Sequence, residues 1–443
     1  MSLVVKAVAA IMSAAQSPVP VQTGPITLEQ AAAIAERNAF AIRTQASRVE
    51  QSRQRVEEAR SNLLPRANGQ FVYTQLPQAQ TAQIGGPGTP SVIVQPQATR
   101  TIGGALTFPI DVFGNVQRQV RAGQASERAS RATLLATRND VRLNAKTAFL
   151  NVLRAQAGVG VAEQARRDAQ ERLNQARTLL AGDQVARVDV VRFEAQVAAA
   201  EADVVAARNN LDIARNAFNL ALARPIEAPV ELVDIPALPE APTEADNLVR
   251  TAQANRPEVQ ALLNTLQALG YSRRALEAGL LPQVSVGVNY QRNLDPGLFG
   301  QREQTTKNLT ISIPIFEGGA TRARVRAARQ DEEQARINLE QTNLSISQEV
   351  RNAVTTLANA RARLASAEAQ IRAAEEVYRL ARVRQDAAEG TYVEVVDALT
   401  QLIQARNAAV SARYDYLVAF SQLQRAVGSD TLAGAAPAGG GSR

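Results

Sequence analysis

The sequence predicts a mixed α and β membrane protein built twice over, each half joining a pair of amphipathic strands to a long helical hairpin. Three observations predict it. The chain repeats itself at a fixed register, its strand-like segments have the length that crosses a bilayer, and its helical segments carry a seven-residue repeat over a reach that no compact domain needs.

The repeat comes first because it organises the rest. A shift of 205 residues sets Phe108-Pro109-Ile110 on Ile313-Pro314-Ile315, Gly114 on Gly319 and Arg121-Ala122 on Arg326-Ala327. The same shift carries Ala162-Glu163 onto Ala367-Glu368 and Asp189 onto Glu394. Upstream, Leu63-Leu64-Pro65 matches Leu280-Leu281-Pro282 at a shift of 217, so the first copy holds extra residues in a Gly/Pro/Gln-rich loop over 76–98. Residues 1–26 read as an export signal or a flexible tail, 27–224 as the first repeat and 225–242 as a Pro-rich linker. Residues 243–430 are the second repeat and 431–443 a Gly/Ala-rich disordered tail.

Each repeat runs in the same order. A helix opens it, over 27–62 and 244–278, with Thr27/Gln30 and Thr243/Asp246 at capping-box spacing, and a Leu-Leu-Pro breaker ends it. Two strands follow, then a long helix (116–181 and 320–387), a short break and a second helix (184–223 and 391–427).

The strands alternate with period two. Val284, Val286, Val288 and Tyr290 share one face against Gln283, Ser285, Gly287 and Asn289; Leu309, Ile311, Ile313 and Ile315 alternate with Asn308, Thr310 and Ser312. In the first copy Ile102, Leu106, Phe108 and Ile110 alternate with Thr101, Gly103 and Thr107. The other face carries amides and hydroxyls with almost no charge, as the lining of a wet barrel does. Phe71, Tyr73, Phe108, Phe113, Tyr290, Phe299 and Phe316 gather in or beside these strands, like an interfacial girdle.

In the long helices Leu357, Leu364, Ile371 and Tyr378 recur every seven residues, beside an alanine series at 360, 367, 374, 381 and 388. The first copy answers with Val152, Val159, Arg166 and Leu173 beside Ala155, Ala162, Ala169 and Ala176. An all-Ala seam lets helix axes approach closely, and such helices are on the order of 100 Å long.

Composition narrows the chemistry. Of 443 residues 45% are hydrophobic but only 4% aromatic, and there is no Cys and no His. That removes thiol nucleophiles, imidazole and thiolate metal ligands and Ser-His-Asp triads, so no catalytic, cofactor or metal site is expected and the protein is not read as an enzyme. A formal charge of +7 with interspersed signs describes a solvated surface, not a nucleic-acid footprint.

These features resemble the TolC family of outer-membrane efflux channels. The likeness is carried by Asn255-Arg256-Pro257-Glu258-Val259, the Leu-Pro before each strand pair, Ile313-Pro314-Ile315-Phe316-Glu317-Gly318-Gly319 and Tyr392-Val393-Glu394-Val395-Val396-Asp397-Ala398. Ala207-Arg208-Asn209-Asn210-Leu211-Asp212 and Ala412-Arg413-Tyr414-Asp415-Tyr416-Leu417 add to it. The resemblance implies a homotrimer in which each chain donates four strands to one transmembrane β-barrel, continuous with an α-helical barrel in the periplasm. Four strands cannot close alone, and lipid tolerates no open edge. It also implies surrounding outer-membrane lipid, a periplasmic membrane-fusion adaptor, an inner-membrane pump, and a passive exit role in efflux or type I secretion. The competing class is a soluble periplasmic coiled-coil spacer or adaptor, which would lack paired strands of bilayer length.

The candidate functional residues lie at the two helix breaks. Glu394 and Asp397 sit three apart on one helical face, and acids at these positions in the resembling family ring the periplasmic end. Crowded carboxylates repel one another and attract cations, so Asp397, Glu394 and the first copy's Asp189 are the gate candidates. Thr391 and Glu394 are equally spaced as a capping box, so Glu394 is either a cap or a gate residue. The tyrosine and arginine that lock the closed state in that family fall on Gln385 and Gly390 here. Gly182-Asp183 and Gly390-Thr391 read as a glycine stop followed by a cap, and as the tip surface an adaptor grips.

Overall fold

The computed structural model describes residues 24–83, 88–240, 244–298, 300–387 and 389–429. Residues 1–23 of the export signal or tail, the whole of the tail over 431–443, and Thr243, Phe299 and Ala388 lie outside them. The order is α1 (Leu28–Asn38), α2 (Phe40–Ser61), β1 (Arg66–Gln75), β2 (Gln80–Gln83), β3 (Ser91–Gln95), β4 (Ala98–Ile110), α3 (Asn115–Ala181) and α4 (Arg187–Ala221). The second copy follows with α5 (Ala245–Asn255), α6 (Pro257–Ala278), β5 (Gln283–Asn293), β6 (Glu303–Ser312), α7 (Ala320–Asp386) and α8 (Tyr392–Val427). Among the described residues no helix is long and apolar enough to cross a membrane.

Three expectations need correction. The opening helix of each repeat is broken in two. Arg256 is extended at φ −66°, ψ 127° because the ring of Pro257 disfavours a helical residue before it, and Pro257 then starts α6 where its missing N–H costs nothing. Ala39 bends at the equivalent place without a proline; Ala39 and Ile42 are buried, so packing sets that bend. The 76–98 loop contains a short antiparallel hairpin, β2 with β3, built on the β-branched run Val92-Ile93-Val94. Finally, β6 stops at Ser312, so Ile313 and Ile315 lie beyond it, next to a proline that has no N–H to donate to a ladder.

The chain forms two compact units, and each takes segments from both repeats. One comprises residues 47–132 and 260–341. Its sheet is antiparallel in the order β1-β4-β5-β6, leaving β1 and β6 as edges. Register puts Phe108 beside Val286 and Val286 beside Leu309 on one face, with Ile110, Val284 and Ile311 in the row below. Those side chains are largely exposed, as are Phe71, Tyr73, Tyr290, Phe113 and Phe316. The opposite face is amide and hydroxyl: Asn289 Nδ2 donates to Asn308 Oδ1 at 3.3 Å, and Asn308 Nδ2 to Thr310 Oγ1 at 3.1 Å. A Cβ at Gly287 would stand 2.6 Å from Asn308 Oδ1, so any larger residue there would displace the Asn308 amide. Charge gathers at the end where the hairpins turn, with Arg100 clamping Asp295 through two guanidinium bonds and Arg292 3.5 Å from Glu303.

The helices of this unit follow the same order as its strands. Gly123 of α3 lies against Val56 of α2, Arg128 of α3 bonds Asn264 and Gln267 of α6, and Arg273 of α6 bonds Glu332 of α7.

The other unit comprises residues 24–46, 133–259 and 342–429 of the described chain. Its core centres on Phe149 and Phe218, both fully buried and edge-to-face at 6.2 Å. The Thr27–Gln30 capping box forms as expected. The Pro-rich linker is strapped down rather than loose. Ile26 and Leu232 form a parallel bridge, Asn219 Nδ2 donates to the carbonyls of Ile226 and Ala228, and Tyr416 donates its hydroxyl to Pro239 O. The small and large heptad positions Ala169, Leu173, Ala176, Leu357, Ala360 and Ala367 are buried, whereas Arg166 is exposed and Ala165 takes its place against the core.

Candidate functional site

The repeat aligns the two helix breaks, and Gln184 N–H to Leu179 O in the first matches Glu389 N–H to Arg384 O in the second, but the next helix restarts differently in each. After α3, Asp183 N–H bonds Leu180 O and Gln184 N–H bonds Leu179 O, the pattern that closes a helix with one left-handed residue. That residue is Asp183, at φ 54°, and not Gly182. Aspartate is one of the few side chains that tolerates this conformation, so the helix stop lies one residue beyond the expected glycine. Asp183 is not the cap of the next helix either. Ala186 is, without a side-chain bond.

The second break keeps its cap. Thr391 Oγ1 accepts from the Glu394 N–H at 3.3 Å, and the register that aligns Thr391 with Ala186 explains the difference. Gly390 lies against the end of α7, where a Cβ would come within 3.2 Å of Gln385 N. Replacing Thr391 with Ala is expected to cost about 1 kcal/mol of local stability and to speed amide exchange at residues 393–395. Ala186→Thr should do the reverse in the first hairpin. Equal exchange in wild type and both variants would contradict the capping assignment.

The gate candidates differ in how far their charge is met. Glu394 lies 3.4 Å from Arg384, whose guanidinium also donates to Glu389 O. Asp189 lies 3.5 Å from Arg192. Asp397 is exposed on the next turn of α8 and has no ion pair among the described residues. Of the tip arginines, Arg177 is held by Glu194 at 2.8 Å, and Arg382 stands over the Tyr378 ring at 5.9 Å. Gln385, at one of the two lock positions, has a buried side-chain oxygen without a hydrogen-bond donor.

Sequence reasoning missed the groove that brings the two hairpins together. Phe193 of α4 and Tyr392 of α8 meet edge-to-face at 5.9 Å, and a groove of about 400 Å³ opens beside them. Asp189, Arg192 and Gln196 line one wall, and Tyr392, Val393 and Val396 the other. Asp189 therefore reaches the second hairpin, whereas Gly182 and Asp183 do not line this groove. The only signal in the sequence was an aromatic in the first turns of each hairpin's second helix.

Arg256 and Glu258, in the segment that carries the family resemblance, belong to a charged hub with Asp140, Glu349 and Arg425. The buried Arg256 donates to Glu258 at 2.9 Å and to Glu349, and Arg425 reaches Glu349, Glu258 and Asp140. Gly428, left-handed at φ 75°, ends α8 against Arg256, whose Cγ would lie 3.2 Å from a Cβ there. Burial alone pushes the Glu258 carboxyl up. Hydrogen bonds from Arg256 and its own backbone N–H, with the charges of Arg256 and Arg425, outweigh it and hold the carboxyl below its ordinary value of 4.5. Among the described residues no cluster of acids offers a metal site.

The family model described as "Outer membrane efflux protein" matches residues 32–224 and 248–429, one block in each repeat. The outer membrane efflux protein BepC of Brucella suis is 24% identical over 246 residues, which is 54% of this chain and 53% of that protein, so the chain spans about half the length of that relative. The fold is similar to the Campylobacter jejuni outer membrane channel CmeC, with a TM-score of 0.76 at 18% identity over 90% of this chain and 85% of that one. It is also similar to the open state of the Neisseria gonorrhoeae outer membrane channel MtrE, with a TM-score of 0.74 at 20% identity over 94% of each.

Proposed function

The chain belongs to the outer membrane efflux protein family, and from that premise we propose that three copies form the passive exit duct of a tripartite efflux pump. The sheet carries the argument. It has one apolar exposed face, one neutral hydrophilic face and two unpaired edges, β1 and β6. An unpaired edge is costly in lipid, and joining β6 of each copy to β1 of the next removes every edge at once. The apolar face then meets lipid and the amide face lines water. Such a lining is indifferent to the chemistry of its cargo, so selection belongs to an inner-membrane pump.

At the helix breaks, Asp397, Glu394 and Asp189 narrow and charge the periplasmic mouth. The tips at Gly182, Asp183, Gly390 and Thr391 are the surface for a periplasmic membrane-fusion adaptor. No step in this function calls for a cofactor or a covalent intermediate. Detergent-extracted protein is expected to have the mass of three chains and to form discrete pores in planar bilayers. Protein that stays soluble and monomeric without detergent, or never forms pores, would overturn the proposal.

A further inference from the structure

Lys307 is out of place on the apolar face. Register sets it in one row with Ala67, Leu106 and Val288, so its side chain leaves the sheet on the face that carries Phe108, Val286 and Leu309. It is exposed, two residues from Leu309, and among the described residues it has no ion pair. Glu303, the acid on the same strand, lies four residues away and is engaged with Arg292. A lysine facing lipid at this depth is costly unless something meets the ammonium. Lys307 stands on the edge strand β6, so its missing neighbour is whatever pairs with that edge.

The chain's own register identifies that neighbour. Within one sheet Phe71, Ile102, Arg292 and Glu303 share a row, so β6 begins level with Phe71, four residues short of the end of β1 at Gln75. That drift is the stagger a tilted, closed barrel requires. Copies related by rotation about one axis have their strands at equal height, so β6 and the next copy's β1, ten residues each, pair end to end. Gln75 then stands opposite Glu303, Tyr73 opposite Thr305 and Phe71 opposite Lys307, every pair on one face. The Phe71 ring is 63% exposed and has no ring or cation partner among the described residues.

We infer that the Lys307 ammonium of each copy lies on the Phe71 ring of the next, with Tyr73 diagonal to it, and that this cation–aromatic contact fixes the register in which the copies close. The inference rests on the trimeric reading above. A ring face meets the ammonium where no carboxylate is available, and both groups lie at the same depth in the sheet.

The chain has no cysteine, so the seam can be tested by cross-linking in native outer membranes. Phe71→Cys combined with Lys307→Cys is expected to give oxidation-dependent, reducible two- and three-chain species, and neither single variant should. Ala67→Cys with Lys307→Cys, the pairing of an unstaggered sheet, should stay largely unlinked; preferential linking of that pair overturns the register. A protein that has the mass of three chains but never links through residues 71 and 307 defeats this inference alone. One that is monomeric defeats the trimer as well. A second measurement needs no cysteine. Lys307→Met and Phe71→Leu should each speed thermal dissociation of the trimer about threefold, and the double variant no more than either single one. Slower dissociation in Lys307→Met, with independent effects of the two changes, would mean that the charge is only a burden.

Discussion

Replacing Arg256 with Ala is expected to destabilise the helical unit that contains it by about 2–3 kcal/mol, enough to lower its melting temperature by about 5 °C. The guanidinium is almost fully buried and serves Glu258 and Glu349, and Arg425 shares both acids. Removing it leaves two carboxylates facing each other beside one remaining cation. Breaking a fully buried pair costs about 3–5 kcal/mol, but Glu258 and Glu349 are 30% and 41% exposed, so solvent screens part of that loss. Arg256→Lys should recover the charge but not the planar fork that reaches two acids, and should fall between the two. Scanning calorimetry or thermal circular dichroism of the assembled protein checks the order. An Arg256→Ala melting curve that overlays wild type would show that the hub is ornamental.

The same hub sets an acid limit. The native Glu258 carboxyl titrates below its ordinary value of 4.5, so its contribution is complete above that value and is lost as pH falls through the lower native value. The Arg256 guanidinium is opposed by burial but raised overall by its two carboxylates, so it stays charged throughout this range. Wild type should therefore lose stability below about pH 4.5, and Arg256→Ala should show a flatter acid limb because it has already lost the pairing.

Regular repeats were legible in the sequence because their causes are local. Alternation at residues 284–290 and the heptads from Leu357 and Ala360 follow from strand and helix periods, and Pro257 announces its own break. The Ala39 bend is imposed by burial of residues whose identity does not demand it. Asp183 takes the left-handed position beside a glycine that suits it better by propensity, so the choice belongs to the turn and not to the residue. The hub escaped for another reason. Asp140, Arg256, Glu349 and Arg425 lie far apart in the chain, and nothing in one sequence says that four ordinary surface-type residues will converge. At the tip, Glu394 and Asp397 were legible as a pair, but which of them carries an unmet charge depends on where Arg384 lies.

That distinction yields the sharpest functional expectation. Glu394 is partly neutralised by Arg384 and Asp189 by Arg192, whereas Asp397 stands exposed. In the proposed threefold assembly three Asp397 carboxylates would approach one axis and enrich cations in the mouth, an effect strongest at low salt because about 0.1 M salt screens charges beyond roughly 10 Å. Asp397→Ala is therefore expected to change single-channel conductance in dilute KCl by about twofold or more and to move the reversal potential in a salt gradient toward zero. Glu394→Ala should move it in the same direction, since it unmasks the Arg384 guanidinium as a positive charge. Arg384→Ala should strengthen cation preference by unmasking Glu394. Recordings at high salt should bring all four proteins together. If Asp397→Ala channels insert normally and match wild type in conductance and reversal potential at low salt, the gate does not lie at Asp397. If only Glu394→Ala and Arg384→Ala move conductance and reversal potential, the mouth is set by the Glu394–Arg384 pair and not by Asp397.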